Sequence, residues 1–478
     1  MSRVVAQAIL RLEPNAQFVI FGTKEKYTIR WDSKDITQPS QSEIDASIVE
    51  VEKLDYQLKR LKEYPDIGDQ LDDLYAKGAF SDEMAAKIKA VKDKYPKGQI
   101  MALTIHGTVS DNTVALDRKR SVPIVINGDM QIAQRGTSST SFSSSAGGSV
   151  QVIDRITNAI SDNGTWTISQ DTDVPTGQGF TQSMKLDCTT ADTSVASGSF
   201  HTIEYRMEGQ DLQFIGKGTS GALYLTIAFW FKSSVTGDYA IELMDDDNSR
   251  HIGATFTISS ADTWTKVIKS FVGDTSGALG NDNGRSLRFN IFLGAGSDLT
   301  SGSAPSSWGS RVTANIAHGQ TVNAASSTDN NVYITGLQIE ASSGALDANS
   351  LPPFQFEDTS QSLARCQRYC CLMKPDATFT RFTHGFANST SQAEGVVHFP
   401  VSMRGSVTLV TSGTASDYGC QVAGATGTCS GVPVIGNNST TNPFFQDVYF
   451  AQSGLTSNGA QGLVARTTDG ILRFEAEL

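Results

Sequence analysis

Cysteine, histidine, proline, basic charge and long apolar runs are all scarce in this chain, and each scarcity excludes something. Six cysteines in 478 residues are too few for a disulfide scaffold. Cys366, Cys370 and Cys371 form a C-x3-CC group with no histidine close by, a poor match to zinc spacing, so reduced or buried thiols are expected. Cys420 and Cys429 flank a glycine-rich stretch, where either a hairpin disulfide or two thiols would fit. None of the six histidines lies in an H-E-x-x-H frame. With 13 prolines against 43 glycines, tight turns are expected rather than a proline-rich stalk.

No segment approaches the roughly 20 consecutive apolar residues of a membrane helix. The opening MSRVVAQAILRLEPNAQF lacks the parts of a signal peptide, so synthesis in a cytoplasm without general export is expected. A formal net charge of -12 disfavours nucleic acid, which needs a basic face. Nucleophile elbow, phosphate loop and dinucleotide fingerprint are all missing, and no catalytic residues are assigned.

What is present changes texture near Lys97-Gly98. Before that point charges are dense and apolar residues recur at helical spacing; after it come Ser, Thr, Gly, Asn and Asp between short β-branched and aromatic runs. Residues 1–40 read as short strands: the alternation Val4, Ala6, Ala8, Leu10, then QFVIFG and KYTIRW, make an attachment segment. At Ser40 a helix begins, with Ser as N-cap and Glu43 in the first turn. Ile44, Ile48, Val51, Leu54, Leu58 and Leu61 follow as one apolar stripe. Such a stripe serves a small local core or a coiled coil, and the coiled coil is favoured because little other apolar surface is near. Residues 41–98, with a second helix from Ser81 to about Tyr95, are therefore read as an oligomerisation stem, and 99–125 as an extended connector.

From 126 to 358, ten strand candidates separated by turn residues indicate a β-sandwich or jelly roll: VQVIDRI, TWTISQD, SMKLDC, HTIEYRM, LYLTIAFWFKS, DYAIELMD, HIGATFTI, WTKVIKSF, LRFNIFLG and VYITGLQIE. LYLTIAFWFKS, apolar on both alternations, is expected to be central and fully buried. Residues 359–478 read as a linker helix, about Asp358 to Met373, and a second β-sandwich. The fold class is thus mainly β, behind a short α/β and helical N-terminal part.

For binding, Trp308 lies in the polar stretch GSDLTSGSAPSSWGSR, where it would stack on a sugar ring or fold back as a plug. In the last domain Tyr418 and the loop Asn437, Asn438, Phe444 and Phe445 offer aromatics beside amides, a chemistry suited to carbohydrate. Asp245-Asp246-Asp247 reads first as a solvated turn and second as a calcium site. Asn281, Asp282 and Asn283, between two glycines, read as a turn.

INGDMQIAQRG followed by VIDRI, TIAFWFKS with TGDYAIEL, the W-x-K-x-x-x-x-F-x-GDTSG pattern, ITGLQIE and PFQFEDTSQSLARCQRYC resemble the central domain of bacteriophage tail fibres over about residues 124–371. EYPDIGDQLDDLY resembles the helical region of such proteins. The resemblance implies a jelly roll similar to carbohydrate-binding modules, a homotrimer in the virion tail, and adhesion to a bacterial surface glycan. It also implies a structural calcium with no assigned ligands, and fold-keeping roles for Arg135, Asp154, Trp230, Trp264 and Gln338. The expectation is a non-enzymatic fibre that docks on a tail or baseplate protein through residues 1–40. The alternatives are a tailspike depolymerase and a spacer that binds nothing.

Overall fold

A computed structural model describes residues 3–13, 16, 18–22, 27–49, 122–422, 425–437 and 442–478. The chain divides into two compact units, residues 1–107 and 108–478.

In the first unit, α1 (Arg3–Leu12) replaces the strand expected from the Val4/Ala6/Ala8/Leu10 alternation. Val5, Ala8 and Ile9 are fully buried, a three-and-four spacing, while Leu10 is 43% exposed. The run AQAILRL is made of good helix formers, so propensity and the 3.6 period agree against the period of two. β1 (Phe18–Gly22) and β2 (Tyr27–Trp31) form the expected hairpin, pairing Phe18 with Trp31 and Ile20 with Ile29. A second helix, α2, covers 41–49. It starts on a reciprocal cap: Glu43 N donates to Ser40 Oγ (3.4 Å) and Ser40 N to Glu43 Oε2 (2.8 Å).

Ile44 and Ile48 join Val5, Ala8 and Ile9 in one local core over Phe18, Ile20, Ile29 and Trp31. Their assignment to oligomerisation is therefore corrected: these two side chains are covered within their own chain. Val51, Leu54, Leu58 and Leu61, the second stem helix and residues 99–121 of the connector lie outside the described residues, whereas Ile124 and Val125 at its end are buried in the sandwich core.

The second unit contains the sandwich. Its strands are β3 (Ser138–Phe142), β4 (Gly148–Val150), β5 (Ile156–Ser161), β6 (Thr165–Asp171), β7 (Ser183–Thr190), β8 (Phe200–Glu208) and β9 (Tyr224–Ser233). They continue with β10 (Gly237–Asp245), β11 (Arg250–Ile258), β12 (Thr265–Phe271), β13 (Arg285–Ala295), β14 (Gly309–Ser310) and β15 (Asn331–Ser342). One sheet has the order β14-β11-β10-β13-β8-β5-β4, the other β12-β9-β15-β7-β6-β3.

Alternate residues of each strand fill the space between the sheets. From β9 come Leu225, Ile227, Phe229 and Phe231, meeting Tyr239, Phe256 and Phe289 of the opposite sheet at ring distances of 5.1–6.0 Å. β9 is interior to its sheet, but Trp230 on its other row is only half-buried. Nine of the ten expected strands are present. VQVIDRI instead breaks into a turn between β4 and β5, where Arg155 has φ 71°.

Asp358 caps the linker helix by accepting from Ser360 N (2.8 Å). That helix covers only Thr359–Gln367; the residues expected to extend it, Cys370–Met373, are a strand instead. The remaining strands form a three-stranded and a seven-stranded antiparallel sheet around a separate core that includes Phe450, Leu463 and Phe474.

Polar contacts join this tip to the sandwich. Arg135 bridges Asp154 (3.3 Å), Glu475 (2.9 Å) and Glu477 (3.2 Å). Arg155 pairs with Glu477 and lies 3.5 Å over the Tyr369 ring centroid. Arg368 grips Glu208 through both oxygens (2.9 and 2.7 Å), and Arg404 donates to the Asn283, Ala476 and Glu477 carbonyls. The LARCQRY motif thus sits at this junction, with Arg365 donating to the Pro123 carbonyl.

Candidate functional site

On β8 and β13 the inward rows are Ile203, Tyr205 and Met207, and Phe289, Ile291 and Leu293. The alternate rows, Thr202, Glu204 and Arg206, and Arg288, Asn290 and Phe292, therefore share the outer face. Register places Asn290 directly between Glu242 of β10 and Glu204, Arg288 between Met244 and Arg206, and Phe292 opposite Thr202. The segment 296–320 roofs one end of this face. It opens with the short helix Ser297–Thr300 and packs Leu299, Ile316 and Ala317 against Phe292 and Ala240. Between roof and sheet lies a cavity of about 280 Å³, floored by Glu204, Arg288 and Asn290 and walled by Phe200, Phe292, Leu299, Ile316, Arg311 and Thr313.

The charges around the cavity pair with one another, Arg285 and Arg288 sharing Asp246. Glu242 is fully buried; burial alone would raise its pKa, but hydrogen bonds from His251 and Arg311 hold it below the usual carboxylate value. The distances are 2.9 Å to His251 Nδ1, 3.0 Å to Arg311 Nε and 3.0 Å to Asn290 Nδ2. Glu204 accepts from Arg206 (2.8 Å) and from Thr202 Oγ1 (3.1 Å). Arg288 Nη2 donates to Asp246 (3.2 Å) and contacts Met244 Sδ (2.9 Å).

Among the residues lining the cavity, Arg288 Nε and Asn290 Oδ1 are buried with no partner among the described residues. The orientation of the Asn290 amide follows from its neighbour. An ionised Glu242 only accepts, so Nδ2 must face it and Oδ1 is left over. Leaving a buried polar group unsatisfied costs about 1–3 kcal/mol. A polar floor beside an apolar wall is the make-up of a small-ligand pocket.

None of the residues expected from the sequence lines this cavity. Trp308 is half-buried against the main core, donates Nε1–H to the Val272 carbonyl (2.7 Å) and has the Lys217 ammonium 5.5 Å from its ring centroid. That is the plug arrangement. Tyr418 is corrected: it is fully buried in the tip core, where its hydroxyl takes Ser412 N–H (2.9 Å) and donates to Ile471 O (2.7 Å). Phe444 is 61% exposed, whereas Phe445 is half-buried in a strand with its ring 5.7 Å from His398. Asn437 is exposed, and Asn438 lies outside the described residues.

Of the fold-keeping set, Arg135 and Asp154 hold the junction, and Gln338 donates to Pro352 O (3.0 Å). Trp264 donates to Asp173 (2.9 Å) and, like Trp230, is only half-buried. Trp166 is the tryptophan of the core.

In the Asp245-Asp246-Asp247 turn Asp247 is exposed, as expected of a solvated turn, while Asp245 and Asp246 are paired with cations. Asp245 is buried against Lys217 and Asn248, Asp246 pairs with Arg285 and Arg288, and Asp247 accepts from Gly280 N. Among the described residues, no group of three or more His, Cys, Asp or Glu side chains is placed to hold a metal ion. All six cysteines are buried thiols, and Cys420 and Cys429 are hydrogen-bonded to each other. The cavity did leave a trace in the sequence: HTIEYRM and LRFNIFLG carry polar residues at every second position of otherwise apolar strands. That trace marks a face, whereas the roof that makes it concave comes from a loop.

No protein-family model matches the chain, and no curated protein is significantly similar to it. Solved structures give distant likenesses. The enzymatically active domain of bacteriophage CBA120 tailspike protein 4 is 11% identical, over 46% of this chain and 21% of that one, with a TM-score of 0.24. A putative sugar binding protein from Bacteroides thetaiotaomicron is 11% identical over 46% of this chain and 100% of its own, with a TM-score of 0.25. The CBM22-1-CBM22-2 tandem domain from Paenibacillus barcinonensis Xyn10C is 8% identical over 75% and 98%, with a TM-score of 0.23.

Proposed function

We propose that this chain is a bacteriophage tail fibre, a trimeric virion protein that adheres to a bacterial surface glycan through its β-domains without cleaving it. The observation that carries the glycan reading is the roofed cavity, whose polar floor of Glu204, Arg288 and Asn290 lies beside Phe200 and Phe292. Sugar rings present hydroxyls at their edge and C–H groups on their face, and this pocket offers a match to both. The tail-fibre and trimer parts rest on the sequence resemblance. Weak single contacts would suffice, because three chains and several fibres per particle supply avidity.

The test is retention of the full labelled chain on bacterial cells and on their purified surface polysaccharide, with reducing ends assayed in parallel. Retention without new reducing ends is expected. Release of reducing ends would establish a depolymerase, and no retention on any strain would leave a spacer. Light scattering on the same protein should give three times the 51.2 kDa chain mass; a monomer mass removes the trimer.

A further inference from the structure

We infer that the outer face of the β12-β9-β15 sheet carries a second saccharide site, in which Trp230 and Lys266 together hold the carboxylate of an acidic sugar unit. This rests on the glycan reading above and adds a ligand class to it. On β9 the row Leu225, Ile227, Phe229 and Phe231 faces the core, so Ala228, Trp230 and Lys232 face outward. Register places Lys266 of β12 and Thr335 of β15 directly opposite Trp230, and Tyr333 opposite Lys232. Of the five tryptophans, four donate the indole N–H to a protein oxygen: Trp31 to Ile36 O, Trp166 to Asn163 O, Trp264 to Asp173 and Trp308 to Val272 O. Trp230 is the exception. Its side chain is half-buried, yet Nε1–H makes no hydrogen bond among the described residues and is open to solvent.

The neighbours decide what can answer it. Lys232 pairs with Asp173 and lies 4.2 Å over the Tyr333 ring centroid, while Lys185 pairs with Asp187 (3.2 Å). Trp264 uses the same Asp173 (2.9 Å), and Thr335 Oγ1 donates to Gln182 O (2.8 Å). Lys266, exposed on the edge strand, has no carboxylate partner among the described residues, and the Tyr333 hydroxyl has no hydrogen-bond partner there. Partial burial pushes the Lys266 pKa down, with no carboxylate to raise it again. What is left around Trp230 is therefore a cation, an indole N–H and a phenol hydroxyl, all able to donate and all beside an apolar ring. Directly opposed residues have Cβ atoms about 4.5–5.5 Å apart, so the Lys266 ammonium and the Trp230 N–H can reach one carboxylate. The C–H face of the sugar then rests on the indole. One free cation in an acidic chain suits a single carboxylate, not the dense charge of a nucleic acid.

The experiment is calorimetric titration of the full chain with glucuronate, galacturonate and mannuronate trimers and with the matching neutral trioses. Saturable binding of at least one uronate trimer is expected, about tenfold tighter than its neutral counterpart and weakening as salt is added. Lys266→Gln keeps the length but not the charge and should abolish the uronate preference. Trp230→Phe keeps an aromatic ring but not the N–H and should weaken uronate binding several-fold. Neither change strands a partner among the described residues, so both variants should unfold at the wild-type urea midpoint. No uronate preference with any trimer, or a preference unchanged in both variants, overturns the inference while leaving adhesion to whole polysaccharide standing. A lower mass of either variant in light scattering would assign this face to a second copy of the chain and overturn it as well. No binding of any trimer, together with no retention on polysaccharide, overturns both readings.

Discussion

His201 shows how much one side chain sets here. It is fully buried, its ring lies 4.8 Å from that of Trp166, and neither ring nitrogen has a partner among the described residues. Burial pushes its pKa down from 6.5 to about 3. Below pH 6.5 the unfolded chain takes up a proton that the fold refuses. Stability from this residue is therefore complete above pH 6.5 and is lost as pH falls towards 3. His201→Phe, which keeps the ring contact, should remove up to about 1.4 kcal/mol per pH unit of acid sensitivity in that window. Urea unfolding at pH 7, 6 and 5 checks it, and parallel slopes for the two proteins would refute the assignment. At this scale the sequence hid most of what matters. Tyr418 looked like a surface aromatic because exposure depends on which strand face it occupies, and Asn290 looked like an ordinary polar residue in an apolar strand.

Elements were more legible, because their causes are local. The hairpin at residues 18–31, the Ser40 entry to α2 and nine of the thirteen sandwich strands follow from alternation, turn residues and capping. Errors came where two local signals competed. In the opening segment the period of two at Val4, Ala6, Ala8 and Leu10 overlapped the helical spacing of Val5, Ala8 and Ile9. At 370–373 the helix pattern ran past its true end, where the strand Cys370–Met373 pairs with residues distant in sequence. The linker helix offers a direct test of its cap. Asp358→Ala should lower the urea unfolding midpoint, because Ser360 N loses its acceptor. An unfolding midpoint equal to wild type in urea would show that tertiary contacts alone hold the helix.

For the molecule as a whole, the local core around Ile44 and Ile48 moves any helical trimer contact away from those positions. Sequence patterning could not decide this, because a stripe that covers a local core and one that covers a partner look alike. The sandwich–tip junction was legible only as a motif, LARCQRY, whose carboxylate partners are Glu208 on β8 and Glu357. Arg135 carries the largest share, with a side chain 8% exposed and three carboxylates on it. Arg135→Ala strands the buried Asp154 and should cost about 3–5 kcal/mol. Calorimetry should then show the tip melting ahead of the sandwich; one transition at the wild-type midpoint would show that the arginine is dispensable.

That junction also has a mechanical consequence. A sideways force on the tip sheets would load several guanidinium–carboxylate links at once, in shear, and not a single flexible strap. Torque on the tip would therefore pass into the sandwich without a swivel to dissipate it.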